Sequence, residues 1–300
     1  MNKNFRAHLA VLTANIIYGA NYSIAKGLTP EHIRPFGFIV IRVCTAAVLF
    51  LLTAQLLFRE KIQRPDWIRV IGCAIFGVAI NQLFFFKGLS LTSPINSGLI
   101  MVTNPIFVLV LSGVFLKTPI GWRKIAGIAC GISGAVMLIL YGNRFQSGTG
   151  DTWGDLCILL NSFSYAIYLV MVLPLMKKYH PVTIMQYIFL IGTILVLPFG
   201  WSEFTEVKWE TFTSGMWMAT VFVVVGTTYL AYLFNTMALR ELSANVVSVY
   251  IYLQPLLAAG FAMILGKDVP NILHFISAVL IFTGVWLTTS SGRSRQGEVI

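Results

Sequence analysis

The sequence predicts an all-α integral membrane protein: ten transmembrane helices arranged as two inverted five-helix repeats. Three observations predict it. The composition is oily, the apolar runs have spanning length, and the chain resembles itself at an offset of about 150 positions. Hydrophobic residues make up 57% and charged residues 11%, against roughly a quarter charged in a soluble domain. Mean hydropathy is +0.80. A soluble fold must still cover itself with polar groups, so lipid is the natural solvent for this chain.

Crossing about 30 Å of hydrocarbon takes about 17–25 apolar residues. Ten runs meet that need: 8–25, 36–58, 67–87, 94–116, 122–141, 153–174, 184–200, 214–236, 245–265 and 271–289. They are too long and too continuously apolar for the alternating strands of a barrel. Short connections such as KGLTPEHIRP and GNRFQSGTGDT separate them and leave no room for a soluble domain. The first run has the basic start of a signal peptide. It lacks a small-residue cleavage site, and Asn15, Tyr18 and Asn21 interrupt it, so it is read as the first span.

Charge predicts the orientation. With the N-terminus in the cytoplasm, fourteen of the 21 basic residues fall inside, six outside, and Arg42 within a span. That bias follows the positive-inside rule and predicts a multi-pass protein with both termini cytoplasmic. The net charge of +10 is then a topology signal, and no nucleic-acid partner is expected. All four cysteines lie in spans, without metal-ligand spacing or a disulfide framework.

Shifted by 150 positions, residues 83–138 lie on 233–288 without a gap. Leu83 meets Leu233, Ser93 meets Ser243, Pro105 meets Pro255, and Gly134 meets Gly284. The chain therefore divides into a first five-helix unit, 1–145, and a second, 146–300, forming one functional unit. Five spans is an odd number, so the second copy must enter the membrane from the opposite side.

NIIYGANYSIAKGL opens the first unit and NSFSYAIYLV lies in the sixth run. GLSLTSPINSGLIMVTNPIF and ALRELSANVVSVYIYLQPLL each carry an amide-Pro step, Arg42 lies early in the second run, and GIACGISGAVML in the fifth. On these residues the whole chain resembles the EamA family of the drug/metabolite transporter superfamily. It departs mildly from the family pattern in having Tyr18-Gly19 where Trp-Gly is usual. The resemblance implies an inner-membrane carrier, its central cavity formed by helices 1–4 and 6–9, with helices 5 and 10 peripheral. The expected function is secondary transport of small metabolites, amino acids or related solutes, by efflux or exchange through alternating access. The alternative is a non-transporting membrane protein, such as a lipid-modifying enzyme or an assembly partner.

Polar side chains in these runs cannot face lipid without unmet hydrogen bonds, so they face one another or a wet cavity. The expected substrate-binding set is Asn15, Tyr18, Tyr22, Arg42, Asn81, Lys87, Asn104, Asn161, Tyr165, Tyr232, Tyr250 and Gln254. The set holds amides, phenol rings and two cations but no acid, which favours solutes with a carboxylate or an aromatic body. Amides that merely join helices are the competing reading. Pro105 and Pro255, each after an amide, are expected as hinges beside the cavity. Ser93, Ser243 and Pro94 are expected at helix starts, and Lys26 to snorkel toward headgroups. Gly127, Gly131 and Gly134 form an edge for close packing within the chain, with a homodimer contact through helices 5 or 10 behind it.

No nucleophile–His–acid set, metal cluster or phosphate loop is present, so neither an enzyme nor a cofactor is expected. The partners are a small-molecule substrate and the bilayer. All eleven acidic residues fall at predicted ends or in loops, Asp155 being nearest a span. Proton-coupled carriers keep a titrating group within the membrane, so the expectation is a facilitator or exchanger.

Overall fold

The computed structural model describes residues 3–57, 60–116, 122–141, 151–266 and 270–290, and every regular element among them is helical. Six helices run unbroken: α1 (Lys3–Leu28), α2 (Pro35–Leu57), α7 (Trp122–Tyr141), α8 (Thr152–Lys178), α9 (Pro181–Thr205) and α14 (Ile272–Ser290). The others are composite. α3 (Trp67–Ala74) passes through a π-helical stretch, Ile75–Ala79, into α4 (Ile80–Leu91). α10 (Ser214–Val221) passes through another, Phe222–Leu230, into α11 (Ala231–Glu241).

The two prolines expected as hinges lie just past breaks. α5 (Pro94–Met101) gives way to α6 (Asn104–Leu116) at Val102–Thr103, and α12 (Ala244–Val249) to α13 (Leu253–Ile264) through a 3-10 turn at Tyr250–Tyr252. Pro105 offers no N–H to the carbonyl of Met101. The turn closes instead through the Thr103 hydroxyl, which donates to the Ile100 carbonyl at 2.7 Å. Ser93 and Ser243 start α5 and α12 by accepting from the Asn96 and Val246 N–H groups, at 3.1 and 3.4 Å.

Among the described residues, seven helical stretches are long and apolar enough to cross a membrane: Pro35–Leu56, Arg64–Leu91, Pro94–Val114, Thr152–Lys178, Pro181–Thr205, Ser214–Glu241 and Val246–Ile264. α1 is as long but carries a face of amides and hydroxyls, and Asn15, Asn21, Tyr22 and Ser23 are buried there. Its polarity points inward, away from lipid. Leu52, Leu56, Ile194 and Met218 remain on the outer surface, where hydrocarbon replaces water.

Packing follows small residues. A Cβ on Gly37 of α2 would come within 2.8 Å of the Glu203 backbone in α9. One on Gly284 of α14 would stand 2.7 Å from the Gly131 Cα in α7. The glycine edge of α7 is thus spent on α14 of the same chain. Both pairs run at backbone contact, which only glycine permits.

Candidate functional site

A polar cavity lies at the middle of the bundle, with a volume of about 60 Å³. α1 supplies Tyr18, Asn21 and Tyr22; α2 supplies Arg42; α4 supplies Asn81, Gln82 and Phe85. Met101 ends α5, Asn161 and Tyr165 come from α8, and Thr227, Tyr232 and Gln254 come from the last third of the chain. Among the described residues no acidic side chain lines it.

Two hydrogen-bonded chains hold the walls. In one, Tyr22 donates to Gln254 Oε1 and Gln254 Nε2 donates to Asn15 Oδ1, both at 2.8 Å. In the other, Gln82 Nε2 donates to the Tyr232 hydroxyl at 2.7 Å, and that hydroxyl faces the Gly77 carbonyl at 3.0 Å and Asn81 Oδ1 at 3.1 Å. Gly77 lies in the π-helical stretch, so local rewinding of the backbone presents a carbonyl to the cavity wall. Asn161 donates through Nδ2 to the Asn81 carbonyl at 2.8 Å.

Arg42 is the one charged group of the wall, and it is 2% exposed. Its Nε donates to Thr228 Oγ1 at 2.8 Å, and its guanidinium lies 4.2 Å from the centre of the Phe86 ring. Nη1 has no hydrogen-bond partner among the described residues, and neither do the carbonyl oxygens of the Asn161 and Asn235 side chains. A buried cation with a spare donor, set among amide acceptors and phenol rings, is complementary to an anionic group on a polar or aromatic body.

Of the residues expected from sequence, Tyr18, Tyr22, Arg42, Asn81, Asn161, Tyr165, Tyr232 and Gln254 come together here, with Asn15 one hydrogen bond behind. Three stand apart. Asn104 donates to the Ser162 carbonyl at 2.7 Å and ties α6 to α8. Tyr250 meets His8 Nδ1 at 2.7 Å near the start of α1. Lys87 lines a separate apolar pocket on another face of α4. Asn21, Gln82, Phe85, Met101 and Thr227 belong to the wall although the sequence reading passed over them. Gln82 could have been found beside Asn81, and Asn21 one turn past Tyr18.

A second polar cluster closes the end of the bundle opposite the N-terminus. Asp155, in the first turn of α8, is fully buried and accepts from the Thr92 hydroxyl, while Asn96 Nδ2 approaches both its oxygens at 3.4–3.5 Å. The Asn271 N–H donates to His274 Nδ1 at 3.0 Å, which leaves Nε2–H to donate to Asn96 Oδ1 at 2.8 Å. Asp155 therefore sits at a helix end, as expected, but inside the protein. Lys26 does not snorkel: its ammonium donates to the Leu89, Ser90 and Thr92 carbonyls at 2.8–2.9 Å, capping the end of α4.

The model of the EamA-like transporter family matches residues 5–140 and 152–290. Similar proteins include an uncharacterized transporter of Archaeoglobus fulgidus, 27% identical over 96% of this chain and 98% of that one. The uncharacterized transporter YyaM of Bacillus subtilis is also 27% identical, over 97% and 95%. A probable terminal-alkyne amino-acid exporter of Streptantibioticus cattleyicolor is 24% identical over 87% and 86%. One crystal structure, 18% identical, superposes with a TM-score of 0.67 over 96% of this chain and 98% of that chain, a likeness of fold. With its apolar helices and two matched segments, the chain is a multi-pass membrane protein that belongs to the EamA-like transporter family.

Proposed function

We propose that this protein is a secondary carrier that moves small carboxylate-bearing metabolites, amino acids or close relatives, by efflux or exchange through alternating access. The observation that carries the reading is Arg42: a buried guanidinium whose Nη1 has no partner among the described residues, in a cavity wall to which those residues bring no acid. A zwitterionic solute would set its carboxylate on Arg42 and its ammonium against the free amide oxygen of Asn161. Tyr18, Tyr22, Tyr165 and Tyr232 supply aromatic surface for its body. The name of the Streptantibioticus relative agrees with that class.

The architecture proposed is ten spans in the inner membrane, the seven apolar stretches together with α1, α7 and α14, with both termini cytoplasmic. Two inverted units, 1–145 and 146–300, would rock about the cavity. The two matched family segments fall on either side of that boundary, and π-helical stretches occur in both halves at corresponding places.

The test is uptake into proteoliposomes of radiolabelled amino acids, their methyl esters and quaternary ammonium compounds. Amino acids are expected to be carried and esters to be poor substrates. Arg42→Gln should weaken carboxylate affinity about 10- to 100-fold, the weight of one hydrogen bond to a charged group. A substrate range confined to cations, insensitive to Arg42→Gln, would overturn the reading.

A further inference from the structure

We infer a binding site for an acidic phospholipid on the outer surface of the bundle, with Lys87 as its headgroup ligand and an apolar slot beneath for one acyl chain. The inference rests on the fold and not on the substrate assigned to the central cavity. α4 has two working faces. Asn81, Gln82 and Phe85 look into the polar cavity, whereas Ile80, Leu83, Phe84 and Lys87, at spacings of three and four, line a separate pocket with a volume of about 480 Å³. Ten of the eleven residues lining that pocket are apolar, and the eleventh is Lys87.

The heights agree with a lipid leaflet. Phe36 begins α2, Trp153 begins α8, and Phe199 and Lys87 lie close to the ends of α9 and α4, so all four gather at one end of the bundle. The pocket runs down to Ile75, twelve residues before Lys87. At 1.5 Å per residue that is about 18 Å, close to half of a hydrocarbon core of about 30 Å. Trp153 and Phe199 are 55% and 59% exposed, so the slot opens sideways onto the membrane, with an indole at headgroup level. Lys87 forms no ion pair among the described residues. An aqueous anion would gain nothing from the deep apolar walls, and a neutral lipid nothing from the ammonium. An acidic phospholipid uses both.

The occupant would also join elements. Its chain would lie between the α4–α8 pair and the α2–α9 pair, so binding there would brace this end of the bundle from the membrane side.

The test is native mass spectrometry of the detergent-purified protein titrated with phosphatidylglycerol or phosphatidylcholine of equal chain length. Phosphatidylglycerol is expected to bind about fivefold more tightly, the weight of one lysine at an anionic surface. Lys87→Gln should abolish that preference at an unchanged melting temperature, and Lys87→Arg should keep it. Leu83→Trp, which fills the slot, should weaken both lipids. A preference that survives in Lys87→Gln would overturn the proposal, as would displacement of the lipid by millimolar inorganic phosphate. So would a diazirine-bearing acyl chain that crosslinks away from α4, α8 and α9.

Discussion

The Tyr22 hydroxyl donates to the side-chain carbonyl of Gln254 at 2.8 Å, joining α1 to α13 across 232 positions of chain. Both side chains are buried, and Gln254 passes the connection on to Asn15. Replacing Gln254 by Leu would leave a phenol donor and an amide acceptor without partners. An expected loss of about 1–3 kcal/mol follows from desolvation of such groups. Unfolding of the purified protein in detergent would measure it, and an unchanged midpoint would mean that other groups take over both bonds.

Asp155 offers a second test. Removing its carboxylate in Asp155→Ala strands the donors of Thr92 and Asn96 in a site without water access. The expected cost is about 2–3 kcal/mol, and Asp155→Asn, which keeps one acceptor, should cost less. The ground for expecting a facilitator was that every acid lies at a predicted helix end or in a loop, and Asp155 keeps such a place in the first turn of α8, although it is buried. Equal stability of both variants and wild type would show that the carboxylate does not hold α5 to α8.

His180 lies between α8 and α9, outside the spanning helices, and its Nδ1 accepts from the Val182 N–H at 3.3 Å to cap α9. Accepting requires a neutral ring. Burial, and then the positive charge of Arg240, lower its pKa against the opposing pull of Glu60. The unfolded chain then takes up a proton more readily than the folded one. The contribution of the cap is complete above the ordinary imidazole value of about 6.5 and is lost as pH falls through the lower, folded value. Unfolding free energy should drop more for wild type than for His180→Asn between roughly pH 7 and 5, by at most about 1 kcal/mol. Parallel profiles would refute it.

Topology can be read by labelling. With the native cysteines replaced, a single cysteine at position 300 should react only from the cytoplasm and one at position 150 only from outside. Labelling of both from the same side would contradict the inverted arrangement.

Much of the cavity was legible because an amide in an oily helix has few places to go. Asn15, Asn81 and Asn161 declared themselves in that way. Lys87 was misplaced because depth was weighed without phase: six residues beyond Asn81, it has turned through about 600° and faces another way. Thr227 was out of reach, since the π-helical stretch around it breaks the 3.6-residue count on which helix faces are read. Asp155 looked like a residue of the membrane interface. Its burial depends on Thr92, Asn96 and His274, which distant segments bring to it.

The π-helical stretches carry a further consequence, for winding rather than for side chains. Each wide turn accommodates a residue that α-winding would not. Winding Phe222–Leu230 as regular α-helix at unchanged length would turn everything beyond it by about 100°. Tyr232 would then point away from Gln82, although no residue of the cavity had been changed. The orientation of the wall is thus set by how the backbone winds in that stretch, as well as by which side chains the wall carries.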